Sequence, residues 1–121
     1  MDDNSISLSQ LKDLVSEFCE ERNWTQFHNP KDLAIGIVTE AAELLDLFRF
    51  KTEPQVSEIM SDIRKREQIG DELADILYFV LRFAQLNGFE LSQEFFRKLN
   101  KNRDKYPLES STGVNKKYDE L

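Results

Sequence analysis

Two runs decide how this chain folds: Leu33-Ala34-Ile35-Gly36-Ile37-Val38-Thr39-Glu40-Ala41-Ala42-Glu43-Leu44-Leu45-Asp46-Leu47 and Ile69-Gly70-Asp71-Glu72-Leu73-Ala74-Asp75-Ile76-Leu77-Tyr78-Phe79. Both carry apolar residues at helical spacing, and each holds an acidic pair of one shape, Glu40-x-x-Glu43 and Glu72-x-x-Asp75. At about 100° per residue, Leu33, Ile37, Leu44 and Leu47 fall within about 60° of Glu40, which places Glu40 inside the apolar stripe and Glu43 at its edge. Ile69, Ile76, Phe79 and Phe83 surround Glu72 in the same way, with Asp75 about 60° to the side. Like charges three apart on an exposed helix cost only a few tenths of a kcal/mol, whereas unpaired carboxylates among Leu, Ile and Phe cost several. Few basic residues lie beside these acids to neutralise them, so the pattern points to a shared cation. Four carboxylates are hard oxygen donors and suit Mg²⁺, with Mn²⁺ as a substitute, rather than zinc. The competing reading is a pair of solvated acidic faces that share a spacing.

Along the rest of the chain the pattern predicts an all-α bundle of four main helices, with no segment of strand period. Ser7 and Gln10 form a capping box that opens a first helix to about Arg22, ended by Asn23. Residues 24–29 form a loop. Asn29-Pro30 starts a second helix that should run to about Phe50, before Lys51-Thr52-Glu53-Pro54 breaks it. A polar, partly helical connector leads to a third helix from about Asp62 to Asn87, with Gly88 just past its end. Ser92 caps a fourth helix, which ends before Pro107 and leaves residues 108–121 as a polar tail that a ligand or a neighbouring subunit would order. Residues 1–107 then make one domain. The third helix is apolar on nearly all sides between Leu73 and Leu86, which predicts a homo-oligomer, at least a dimer.

The 121 residues, 40% hydrophobic and 32% charged, are enough for one core. A formal net charge of -7 argues against nucleic acid as a partner, because phosphate binding needs clustered Lys and Arg. A metal-bridged polyphosphate ligand fits that charge. The single cysteine, Cys19, reads as a small buried core residue and excludes a disulfide framework. No run reaches the length of a membrane span and Met1–Ser9 lacks a signal-peptide pattern, so no membrane partner and a cytoplasmic location are expected. Di-iron bundles need Glu-x-x-His pairs on two helices, and the one histidine, His28, precedes the second helix.

With these residues in view, the chain resembles the MazG-like, all-α nucleoside triphosphate pyrophosphohydrolases. Glu40-x-x-Glu43 and Glu72-x-x-Asp75 are separated by 28 residues. They stand with Arg22-Asn23-Trp24-Thr25-Gln26-Phe27-His28, the run Glu43–Thr52 (ELLDLFRFKT), Asn102-Arg103-Asp104-Lys105-Tyr106-Pro107 and the ending Lys117-Tyr118-Asp119-Glu120-Leu121. Together these look most like the dCTP pyrophosphatase branch, and the resemblance implies that the homo-oligomer is a tetramer built as a dimer of dimers. The resemblance implies hydrolysis of a deoxynucleoside triphosphate, dCTP or a modified dCTP first and dATP next, to monophosphate and pyrophosphate, in nucleotide-pool house-cleaning. It makes Glu40, Glu43, Glu72 and Asp75 the metal ligands and catalytic acids, one of them a general base, and Trp24, Gln26, Phe27 and His28 base or sugar contacts. Phe50 and Phe79 stand where Trp and Tyr are expected, so both keep a stacking face and position 79 lacks a hydroxyl. Lys51, Lys98, Asn102, Arg103, Lys116 and Lys117 become phosphate or base contacts. Trp24 and Phe27 have a competing role as a packing staple between the first two helices. Two other functions stay open: a non-catalytic helical interaction module holding a structural metal, and a related hydrolase with another base preference such as dUTP.

Overall fold

The computed structural model describes Met1–Leu121 and is all-helical. Its helices are α1 (Leu8–Glu21), α2 (Pro30–Asp46), α3 (Glu53–Ser61), α4 (Ile63–Asn87), α5 (Leu91–Lys105) and α6 (Leu108–Ser111), with 3₁₀ turns at Thr25–Phe27 and Tyr118–Glu120. The chain divides into two compact units, Met1–Gly88 and Phe89–Leu121.

In the first unit the caps are those the residues dictate. Ser7 Oγ accepts from the Gln10 amide at 3.0 Å while Gln10 Oε1 accepts from the Ser7 amide at 2.8 Å. Asn23, at φ 55, turns the chain out of α1, and Asn29 Oδ1 accepts from the Asp32 amide at 2.8 Å to start α2 with Pro30 in its first turn. α4 is the central helix, packed most extensively on α2 and also against α1 and α3. Cys19, Leu33, Ile69, Leu81 and Ala84 are buried at that packing. The thiol of Cys19 lies 3.0 Å from the Tyr78 hydroxyl, a core role as the composition implied.

Three boundaries differ from the sequence reading. α2 ends at Asp46 rather than Phe50: the Phe48 and Arg49 amides donate to the Leu45 carbonyl, and Phe50 enters the left-handed region at φ 64. The connector is a full helix, α3, because Thr52 and Gln55 make a second capping box and Pro54 sits in the first turn, where it breaks no hydrogen bond. Ser92 is not a cap; α5 begins two residues earlier than a Ser92 cap would place it, after Glu90, which contributes no side-chain cap. At the other end of α4, Gly88 adopts φ 73, the left-handed geometry that a helix-ending glycine supplies.

The second unit joins α5 to residues 106–121. There the tail is folded: the Tyr118 amide donates to Tyr106 Oη at 3.3 Å, the two rings meet edge to face at 6.2 Å, and Lys105 Nζ lies 4.6 Å from the Tyr118 ring centre.

Candidate functional site

α2 and α4 each bring an acidic pair to their shared packing surface. Carboxylate oxygens of Glu40, Glu43 and Glu72 lie within 4.8 Å of one another. Glu40 and Glu72 are half-buried and Glu43 is exposed, which is the order the stripe geometry dictates. One oxygen of Glu40 and one of Glu72 are buried without any hydrogen-bond partner. None of the ion pairs of the chain reaches these acids. Burial pushes the Glu40 carboxyl up to about 7, with Glu43, Asp75 and Glu72 adding to the shift. Glu72 is raised too, first by burial and then by Glu43. Asp75 stands outside the tight trio, exposed, yet close enough for its charge to act on both buried acids.

Beside the trio lies a cavity of about 330 Å³ lined by Phe18, Trp24, His28, Glu40, Asp75, Tyr78 and Phe79. On α4, Asp75, Tyr78, Phe79 and Arg82 follow one another at i, i+3, i+4 and i+7, so a single stripe carries an acid, two rings and a cation. Opposite them, the Trp24 ring meets Phe18 edge to face at 5.6 Å, and Phe18 meets Tyr78 at 6.1 Å. Gly36 is what lets Phe79 sit against α2: a Cβ there would lie 2.5 Å from that ring. Two buried orphan oxygens and an all-oxygen donor set are the features a hard divalent cation would satisfy.

Of the residues singled out from sequence, the structure brings together Trp24, His28, Glu40, Glu43, Glu72, Asp75 and Phe79. Trp24 packs edge to face on Phe18 of α1 and also lines the cavity. Gln26 turns its amide to the Asn23 carbonyl at 3.0 Å, and Phe27 is exposed, neither lining that cavity. Phe50 is 89% exposed beneath the Arg49 guanidinium, and Lys51 lines a separate cavity with Leu47, Gln55, Glu58, Ile59, Asp62 and Lys65. Asn102, Arg103 and Lys116 belong to the second unit, where Arg103 Nη1 donates to Asn100 Oδ1 at 2.9 Å. Lys98 and Lys117 lie in the same unit.

Sequence reasoning missed Arg82 and Thr25. Arg82 is 1% exposed and donates to His28 Nδ1 at 3.0 Å, to Gln85 Oε1 at 2.8 Å and to Thr25 Oγ1 at 2.9 Å. Partial burial, and then the Arg82 charge, lower the pKa of His28. The rule that found Glu40 and Glu72, a charge embedded in an apolar helical run, finds Arg82 when applied to cations.

The model of the MazG-like family matches residues 35–121. The dCTP pyrophosphatase 1 of Mus musculus is 32% identical over 115 residues, covering 95% of this chain and 68% of that protein, and that of Bos taurus is 34% identical over the same shares. The crystal structure of a pyrophosphatase from Archaeoglobus fulgidus superposes with a TM-score of 0.77 at 32% identity, over 83% of this chain and 92% of that one. With two acidic pairs on facing helices, an aromatic cavity beside them and matches of this extent, the chain belongs to the MazG-like family.

Proposed function

We propose that this protein is a divalent-metal-dependent nucleoside triphosphate pyrophosphohydrolase. Its substrate on this reading is a deoxynucleoside triphosphate, dCTP or a modified dCTP before dATP, cleaved to the monophosphate and pyrophosphate. The observation that carries the proposal is the pair of buried, partnerless oxygens on Glu40 and Glu72, set in a trio of carboxylates beside an aromatic cavity. A structural ion alone needs no ring-lined cavity next to it. The relatives named dCTP pyrophosphatase 1 and the archaeal pyrophosphatase support the reaction class and the first choice of base.

Glu40, Glu43 and Glu72, with Asp75 beside them, would hold Mg²⁺, or Mn²⁺ in its place. Such an ion, when bound, neutralises charge developing on phosphoryl oxygens and lowers the pKa of a water. The other tasks fall to the chain. Trp24, Phe18, Tyr78 and Phe79 offer ring surface for the base and exclude water from one side of the site. One carboxylate of the cluster takes the proton of the water that attacks the α-phosphorus. Asn102, Arg103 and Lys116 are assigned to base or phosphate contacts by family resemblance, as are Lys51 and Phe50.

The same reading includes self-association. On α2 and α4, Val38, Leu45 and Leu73 are 69%, 63% and 53% exposed, apolar area that a second copy would cover.

A nucleotide panel with direct identification of products tests the proposal. Pyrophosphate and dCMP from dCTP, dependent on added Mg²⁺, are expected; dCDP and orthophosphate would overturn it. Glu40→Gln and Glu72→Gln should each lose about a hundredfold or more in turnover while retaining helicity, the scale on which single electrostatic stabilisers act.

A further inference from the structure

Arg82 is the one charged side chain buried in the core, and its hydrogen-bond partners are neutral. A guanidinium taken out of water without a carboxylate gives up hydration and gains no counter-charge. What it gains is geometry. Its planar fork points three N–H groups in fixed directions: Nε to His28 Nδ1, Nη2 to Thr25 Oγ1 and Nη1 to Gln85 Oε1. Gln85 in turn donates from Nε2 to the Lys12 carbonyl at 3.0 Å. One residue of α4 thereby ties down both ends of the Thr25–His28 segment and, through Gln85, reaches α1.

The chemistry of this contact settles the histidine tautomer. Arginine has only donors, so the His28 nitrogen it meets must be the unprotonated one. In the neutral ring the hydrogen is then on Nε2, and His28 is one of the residues that line the cavity. We infer that Arg82 is a positioning residue, which locks the 25–28 segment and holds His28 as the Nε2–H tautomer so that it donates a hydrogen bond to an acceptor atom of the bound nucleotide. This rests on the nucleotide site proposed above. Arg82 touches no substrate; it acts through His28.

The chain has a single histidine, so one imidazole appears in the spectra of ¹⁵N-labelled protein. At about pH 8, where the ring is neutral, NMR should show the Nε2–H tautomer and a ¹⁵N–¹⁵N coupling across the Arg82 Nε–H to His28 Nδ1 hydrogen bond. Arg82→Met should abolish the coupling and mix the tautomers, and Arg82→Gln, whose amide can accept as well as donate, should do the same should the methionine variant not fold. A wild-type ring protonated on Nδ1, or a tautomer unchanged in a folded Arg82 variant, overturns the inference. Kinetics test the donor. His28→Asn keeps an acceptor near the Nδ1 position and has no donor beyond it, so KM for the nucleotide should rise about three- to tenfold with kcat little changed. His28→Gln, whose amide nitrogen reaches the Nε2 position, should recover most of that loss, and an equal rise in both variants refutes the donor role. The NMR measurements need no nucleotide, so they fail only if Arg82 lacks this role, whereas absence of nucleotide turnover in the wild type counts against the proposed function.

Discussion

Glu40 and Glu72 each keep one oxygen buried and partnerless, so their ionisation is tied to whatever cation they hold. Without metal, the Glu40 carboxyl lies near 7 against an ordinary 4.5, chiefly because of burial. An acid with a raised folded-state pKa binds its proton more tightly folded than unfolded. Its contribution is therefore fully present below 4.5 and is lost as pH rises to about 7. A cation competes with that same proton, so its stabilisation should grow over the same window. In chelator, the urea midpoint of the wild type relative to Glu40→Gln should fall between about pH 5 and about pH 8, and Mg²⁺ should restore it mainly at the higher pH. A relative midpoint that rises across this window contradicts the assignment. Trp24 is 40% exposed, packs on Phe18 and lines the cavity beside the carboxylates. Trp24→Ala should weaken nucleotide binding by about 1–3 kcal/mol in calorimetry and leave Mg²⁺ affinity unchanged.

At the level of elements, the close approach of α2 to α4 depends on one glycine. A Cβ at Gly36 would meet Cδ1 and Cε1 of Phe79 at 2.5 Å, so Gly36→Ala must displace a ring that lines the cavity. Denaturant titration should show a loss of about 1–3 kcal/mol, the usual cost of overpacking. Gly70, on α4, has nothing within 4 Å of the corresponding point, and Gly70→Ala should instead gain about 0.5–1 kcal/mol from helix propensity. Equal effects at the two positions would show that propensity alone is at work. The helices themselves were largely legible. Ser7, Asn29, Asp62 and Gly88 mark ends by local hydrogen bonding or left-handed geometry, which nearby residues suffice to specify. α3 was legible as well, since Thr52–Gln55 repeats the capping box of Ser7–Gln10, but Pro54 drew the reading toward a break. The early end of α2 was not, because Phe50 enters a left-handed conformation that a phenylalanine does not advertise.

For the molecule as a whole, apolar area on α2 and α4 stands open in the single chain. Leu73, Leu77 and Leu86 on α4 are 53%, 41% and 39% exposed, as an all-round apolar helix requires when too few companions cover it. Multi-angle light scattering at micromolar concentration should give a mass at least twice 14.2 kDa. An active, stable monomer would remove self-association from the proposed function. With the chain assembled, the exposed faces of α2 and α4 should also show protection from amide exchange that dilution reduces.

The helical class, most helix ends, the acidic quartet and the family are readable along the chain, because each depends on spacing between residues or on a cap within a few residues. Packing of the helices decided which members of that quartet draw together, since the tight trio of Glu40, Glu43 and Glu72 leaves Asp75 to one side. It also decided that Phe18 and Tyr78 share the cavity with Trp24 and Phe79, while Gln26, Phe27 and Phe50 do not line it. Arg82 and His28 are 54 residues apart, and Cys19 and Tyr78 are 59 apart. Periodicity along one helix states which face a residue occupies, but the partner across that face is set by how helices pack, and that information is not local.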